Sequence, residues 1–489
     1  MKPVVIVGAG LGGLAAAISL SARDVPVVVV EASGGPGGKA GEATVEGVTF
    51  DTGPSVFTLK SVLDGLLAPA GVSAEDVLTL REPDPAFVYR WPDGTVLNMH
   101  PELQATEASV REALGSDAAA DFAGFMAYSK AIWDAAAPYF VLAPAPSFRG
   151  MASLGPGALK AASRIDPFRS MQAAIDAQVR SPHLRDVFAR FATYNGSDPR
   201  VAPATLNCIA HVEMGLGAFG ILGGIHQLPV ALARVASDLG VSFRYNAPVE
   251  AVEVHAGRVR SVRTRGGERL DASAVVVNAD VAHLVEDLLP QKSRTSLKAS
   301  PPTSTSGWTA VLRARPSVRV AHTALFPSQY PQEFVDLFDR RRPPQDPTVY
   351  ICDQEVAHGR DGWSDGSPIF VMANAPCEAT PSEDQVWQSL SERVRQRLVE
   401  AEVVAHDAPI VWERSPRGLA ERFPGSRGAL YGAASNGMFS AFQRPPNAVR
   451  KPAGLYLASG SAHPGGGMPL CIQSGRLAAD AVFDGLGVR

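Results

Sequence analysis

The sequence predicts an α/β protein: a nucleotide-binding domain on parallel strands, discontinuous in sequence, with an inserted mixed α+β domain. Three observations predict this. A strand, a glycine turn and a helix open the chain over residues 3–31. Short apolar runs rich in valine recur at Val27–Val30 and Ala274–Asn278, as in strands buried on both faces of a parallel sheet. The strand–glycine–helix pattern then returns between Leu455 and Leu486. Segments 1–60, 221–295 and 450–489 are therefore assigned to one domain, and 61–220 and 296–449 to the other. A chain of 489 residues exceeds one core at roughly 100–200 residues per domain.

In chain order, Val4–Val7 is a buried strand, Leu11–Ala22 an Ala- and Leu-rich helix, and Val27–Val30 a strand ending at Glu31. From about 61 to 220 the pattern is helical, with Pro- and Gly-rich breaks around Ala143–Gly157. The stretch Leu222–Leu239 reads as a helix opening after Gly223-Gly224. Strands are expected near Val241–Tyr245, Val249–His255 and Val259–Arg265, followed by a turn at Gly266-Gly267. The section from about 295 to 450 mixes strands with a helix near Glu383–Glu402. Leu455–Ser459 is the last strand and Cys471–Leu486 the last helix.

Composition excludes several classes. A net charge of −4 without a Lys/Arg run gives nucleic acid nothing to neutralise its phosphates. Cys208, Cys352, Cys377 and Cys471 have neither metal-ligand spacing nor the density of a disulfide framework, so no metal and a reducing, cytoplasmic setting are expected. The N-terminus enters a strand at once and does not read as a signal peptide. The most apolar stretch, Ala135–Pro146, is broken by Pro138, Pro144 and Pro146 and falls short of the ~20 residues that span a bilayer.

Gly8, Gly10 and Gly13 form G-x-G-x-x-G between the first strand and the first helix, in the Rossmann-like setting. The glycines allow the tight turn, close approach to a pyrophosphate and close helix–strand packing, while amides around Leu11 and Gly12 meet the phosphates. Glu31 ends the next strand, near the offset at which a carboxylate accepts ribose hydroxyls and disfavours a 2′-phosphate. A second glycine loop, Gly34 to Gly38 with Lys39, and the turn Phe50–Ser55 containing Pro54 follow. A nicotinamide dehydrogenase has no need of that second loop and its cation, so the cofactor expected is FAD.

At these motifs the sequence resembles the flavin amine-oxidase and phytoene-desaturase superfamily. The carriers are VVIVGAGLGGLAAA, the Glu31–Lys39 run and FDTGPS. Lys39 stands where many members carry arginine, keeping the charge without the bidentate fork. GGIHQLPVALARVASDLGV, NAPV and VVVNAD resemble the family's return to the flavin domain. The resemblance implies that the backbone of Val249 lies near the adenine and that Asn278 belongs to the cofactor site. RFATYNGSDPRVAPATL, RFPGSRGALYG and GLYLASGSAHPGGGMPLCIQSGRLAA look like carotenoid desaturases. ATYNGSDP and ALYG resemble most those acting on hydroxylated carotenoids, the hydroxycarotenoid 3,4-desaturases.

Gly465-Gly466-Gly467-Met468 precede the last helix, whose N-terminus would stabilise negative charge on a reduced flavin. The resemblance sets Gly460 and Met468 against the isoalloxazine, with Gly467 between them. His463 either lines the flavin face or caps the turn, and Cys471 reads as a packing cysteine. Desaturation removes a hydride and a proton from adjacent carbons in a dry apolar slot, for which Phe, Leu, Met and Ala within 120–225 are candidates. Glu213, alone in the apolar stretch HVEMGLGAFG, is a candidate base whose pKa burial would raise; a structural ion pair or a surface carboxylate is the competing reading.

The implied partners are a lipophilic carotenoid and, as electron acceptor, oxygen or a quinone. Ala135–Ala162 either packs in the core or dips into a bilayer, which would hold the protein peripherally on the cytoplasmic membrane. A phytoene desaturase, a carotenoid saturase or isomerase, an amine oxidase and a prenyl-binding chaperone are the alternatives. The chaperone would not need the complete set of cofactor motifs.

Overall fold

The computed structural model describes residues 2–146, 164–290, 295–297, 303–377, 384–437 and 440–487. The protein is α/β, and its Rossmann-like part is a five-stranded, all-parallel sheet. Its strands lie in the order Leu455–Leu457, Ala274–Val277, Val4–Val7, Val27–Val30, Ser242–Arg244. Val4 stands opposite both Ala274 and Val27. The two central strands are buried at every position, and that double burial is why they read as unbroken apolar runs rather than as alternation.

Helices Leu11–Ser21 and Met468–Leu486 pack together on one face of this sheet. A Cβ on Gly475 would stand 2.2 Å from the Gly12 carbonyl and 2.7 Å from Ala15 Cβ. Only the bare backbone of glycine lets the two helices approach so closely. The other face is covered by the antiparallel strands Val249–His255, Arg258–Thr264 and Arg269–Asp271, whose Val252, Val259 and Val262 meet Val5, Val7 and Val275.

A seven-stranded mixed sheet forms the second centre, in the order Ile410–Arg414, Ser306–Ala314, Ser367–Ala375, Val349–Asp353, His322–Leu325, Phe87–Arg90, Val96–Met99. The 61–220 region is therefore not purely helical. Phe87–Arg90 and Val96–Met99 form a hairpin across Trp91-Pro92-Asp93-Gly94-Thr95, closed by the Trp91 amide donating to the Thr95 carbonyl at 3.0 Å. Helices Ser116–Ala136, Pro182–Arg190 and Cys208–Met214 cover this end and enclose an aromatic core with Phe87, Tyr89, Phe122, Phe125, Phe188 and Phe191.

Two helix starts differ from expectation. The helix after Gly224 begins at Gln227, because Leu222–Gly224 is a turn. The last helix begins at Met468 and accommodates Pro469 in its first turn, where the missing N–H has no intrahelical partner to lose. Among the described residues no helix is long and apolar enough to cross a membrane. Helix Ser116–Ala136 continues into a wide turn at Ala137–Val141; the rest of the candidate bilayer segment, 147–162, lies outside the described residues.

Candidate functional site

The first strand ends in Gly8, whose φ of +101° is strained for any side chain. A Cβ on Gly13 would lie 2.1 Å from the Gly8 carbonyl, and one on Gly10 2.6 Å from Asn278 Oδ1. Helix Leu11–Ser21 starts at Gly10 without a side-chain cap, leaving the amides of its first turn, including those of Leu11 and Gly12, for an anion. Asn278 leaves the neighbouring strand, donates to the Ala458 carbonyl and so joins two strand ends beside the glycine turn.

Glu31 closes the next strand. Its carboxylate accepts from the Ala9 amide at 2.7 Å and from the Ser33 amide and hydroxyl at 2.8 and 2.6 Å. A carboxylate offers about four lone-pair sites, so these bonds leave room for a further donor. The second glycine loop lies against the first: the Gly37 amide donates to the Ala9 carbonyl at 3.0 Å, and a Cβ on Gly38 would lie 3.4 Å from Gly10 Cα. The segment leading to Val249 joins here too, through the Asn246 amide on the Ser33 carbonyl and the Ala247 amide on the Glu31 carbonyl.

Lys39 Nζ donates to the carbonyls of Leu430 and Ala429 at 2.7 and 3.2 Å. Desolvation lowers its pKa below the ordinary lysine value, against the opposing charge of Asp280. The cation thus fastens the RFPGSRGALYG segment onto the glycine loop. Beside Pro54 and Ser55, the buried Asp51 accepts from the amides of Ile225 and His226 and pairs with the buried Arg360 at 2.8 Å. This ion pair locks the FDTGPS turn to the start of helix Gln227–Asp238.

At the C-terminal cluster, Gly467 precedes the last helix with φ +104° and no side-chain cap, and nothing stands within 4 Å of the place a Cβ would take. Gly460 is in contact distance of Cys471, whose thiol burial pushes up to about 11. Cys471 therefore packs as a neutral thiol. His463 is buried, burial lowers its pKa, and its Nε2 donates to the Ala143 carbonyl at 2.9 Å. That bond does not cap the turn of His463 itself but ties it to a segment 320 positions away. Gln473 holds the adjacent Leu142 carbonyl in the same way.

Sequence reasoning missed two residues here. Arg444 is buried under the glycines, donates to Gly460, Ala433 and Asn195, and has its pKa lowered by burial to about 10. Tyr431 packs so closely on Gly466 that a Cβ there would stand 2.7 Å from its ring. A lone arginine before Pro445-Pro446 and a tyrosine within ALYG gave the only signals.

Glu213 lies on helix Cys208–Met214 at 4 % exposure, and neither carboxylate oxygen has a hydrogen-bond partner. Burial raises its pKa, and the charge of Arg190 works against that rise. The expectation of a structural ion pair is not met, since no Arg or Lys of the described residues stands within bonding distance of it. These observations fit a flavin dinucleotide: two uncapped, glycine-led helix starts and an acid beside the first.

Comparison with known proteins agrees. The family model described as flavin containing amine oxidoreductase matches residues 11–483. The chain is 34 % identical to the hydroxyneurosporene desaturase of Rubrivivax gelatinosus, covering 98 % of this chain and 93 % of that protein. It is 30 % identical to the 1-hydroxycarotenoid 3,4-desaturase of a Flavobacterium species, covering 99 % of each. Among solved structures, an oxidoreductase from Methanosarcina mazei superposes with a TM-score of 0.61 at 17 % identity, over 99 % of this chain and 100 % of that one. Putrescine oxidase does so at 0.60 and 15 %, over 99 % of each; at such identities these two show the fold alone.

Proposed function

This chain belongs to the flavin-containing amine oxidoreductase family, in its carotenoid-desaturase branch, and from that membership we infer the 3,4-desaturation of a hydroxylated linear carotenoid. It is an FAD-dependent oxidoreductase acting on a carotenoid. The observation that carries the finer reading is the end-to-end likeness to a protein named hydroxyneurosporene desaturase. The sheet-bearing segments 1–60, 221–295 and 450–489 would form the FAD domain, and 61–220 with 296–449 the substrate domain.

What bound FAD supplies is acceptance of the hydride from one of two adjacent substrate carbons. Backbone amides at Gly10, Leu11, Gly12 and Gly13 would hold its pyrophosphate at the turn Gly8 allows, the Gly8 amide itself being taken by the Val30 carbonyl; Glu31 would hold a ribose, and the backbone of Val249 the adenine. Asn278, Gly38, Lys39, Pro54 and Ser55 would line its middle, with Gly460, Gly467 and Met468 at the ring. The uncapped helix start at Gly467 supplies partial positive charge to that end. Glu213 is the group we propose for the proton: it is buried, neither oxygen makes a hydrogen bond of normal geometry, and burial raises its pKa. His463 serves as a positioning residue through Ala143.

Oxygen or a membrane quinone would reoxidise the cofactor. Peripheral attachment to the membrane through 135–162 fits a substrate that dissolves in lipid. The test is anaerobic mixing of purified holoprotein with hydroxyneurosporene in liposomes. Bleaching of the flavin absorbance supports the reading; bleaching by a primary amine, and not by the carotenoid, would transfer the protein to the amine oxidases.

A further inference from the structure

Six carboxylates are buried among the described residues, and five of them, Asp51, Asp198, Glu333, Asp336 and Asp353, are answered by hydrogen bonds. Asp51 holds two amides and an arginine. Glu333 accepts from the Thr348 amide and hydroxyl and from Asn374 at 2.7, 2.6 and 2.9 Å. Glu213 is as deeply buried and makes no hydrogen bond of normal length and angle, although the Tyr194 hydroxyl lies near enough to stabilise its charged form. A buried polar group left unanswered is costly, and more so when charged, so such groups in native proteins call for a ligand, a proton or a water.

The surroundings of Glu213 narrow the choice. Arg190, 5 % exposed, acts on it electrostatically but forms no ion pair with it. The guanidinium of Arg190 has one long hydrogen bond, 3.4 Å to the Tyr89 hydroxyl. Otherwise it faces rings: those of Tyr194, Phe87, Tyr89 and Tyr350 lie with centroids 5.0, 5.4, 5.6 and 5.9 Å from its central carbon. Tyr330, 2 % exposed, has a hydroxyl with no partner, and Arg190 acts electrostatically on that tyrosine as well. Around them lies the aromatic and aliphatic core between the hairpin Phe87–Met99 and the helices over it, together with His322, whose Nδ1 is hydrogen-bonded to the Tyr350 hydroxyl at 2.8 Å, and with Asp186 and Glu333, whose charges act on Tyr330.

A fixed cation donor, a carboxylate acceptor and a spare phenol, left mutually unbonded within an apolar core, suit one uncharged group that both donates and accepts. We propose that Arg190, Glu213 and Tyr330 form a subsite for the hydroxyl of the carotenoid substrate. The alcohol would donate to Glu213 and accept from Arg190, while the polyene lies along the apolar core. This rests on the desaturase reading above and adds to Glu213 a binding task distinct from proton transfer. Selectivity follows from the same chemistry. A site that hydrogen-bonds a substrate hydroxyl is left with unpaired buried groups when the hydroxyl is missing, and rejects that analogue by up to 10⁴–10⁵. A purely apolar slot discriminates by no more than about 10–200-fold per methylene-sized change.

The test uses full-length holoprotein in liposomes, with hydroxyneurosporene and neurosporene as competing substrates. Turnover is followed by product mass, and retained flavin absorbance and circular dichroism report folding. The wild type is expected to favour the hydroxylated polyene by at least about a hundredfold in kcat/KM. Arg190→Leu should cut that preference tenfold or more. Tyr330→Phe, which removes only an unpartnered hydroxyl and so keeps the fold, should cut it severalfold. Glu213→Gln separates its two tasks: loss on both polyenes reports proton transfer, and a change in their ratio reports hydroxyl binding. A Tyr330→Phe protein with wild-type preference, or a wild type that does not discriminate, overturns the subsite while leaving the desaturase standing. Turnover of neither carotenoid by folded, flavin-loaded wild type refutes the desaturase reading itself.

Discussion

At Gly10 one contact separates two explanations of a glycine. A Cβ there meets Asn278 Oδ1 at 2.6 Å, so Gly10→Ala should weaken FAD retention either by displacing Asn278 or by holding the backbone off the pyrophosphate. If approach to the phosphate governs, adding Asn278→Ala restores the fold but not the flavin, read as the flavin-to-protein absorbance ratio after purification. Full restoration of flavin would assign Gly10 to side-chain room alone. His358 makes a second residue-level prediction. It is buried, its Nδ1 accepts from the Ile221 amide at 3.2 Å, and desolvation depresses its pKa to about 4. The unfolded chain binds this proton first as pH falls, so stability is lost between about pH 6.5 and 4, by roughly 3 kcal/mol. His358→Gln should flatten that part of a pH series of denaturant midpoints; an unchanged slope would contradict the assignment.

At the scale of elements, the contact between the first and last helices is the most exacting. Gly475→Ala would drive a methyl into the Gly12 carbonyl and Ala15, and overpacking of this kind costs typically 1–3 kcal/mol. Because the same helices begin at the two cofactor cradles, the variant is expected to lose both thermal stability and FAD; a normal melting curve with full flavin would contradict this. The inner parallel strands were legible in sequence because burial on both faces writes unbroken apolar runs, VVIV, VVVV and AVVV. The hairpin Phe87–Met99 was not, because FVYR and VLNM are too short for periodicity to outweigh the helices around them. Its Pro-Asp-Gly turn chemistry was nonetheless visible and could have found it.

Over the whole molecule, what the sequence could not show is what long range assembles. Asp51 meets Arg360 across 309 positions, and Lys39 meets Leu430 across 391. Single charged residues in unremarkable neighbourhoods carry no local sign of such pairings. The Arg190 cluster likewise draws rings from the hairpin, a short helical turn and the strand Val349–Asp353, so only the fold reveals it. Local motifs supplied the proposed cofactor end; topology alone supplied the proposed hydroxyl end. Desaturation of a hydroxylated carotenoid is checked by expressing the protein in cells that accumulate hydroxyneurosporene and following pigment mass and absorbance. Loss of two hydrogens with a red shift is expected. A pigment that gains hydrogens, or stays unchanged beside a folded, flavin-loaded protein, would contradict it.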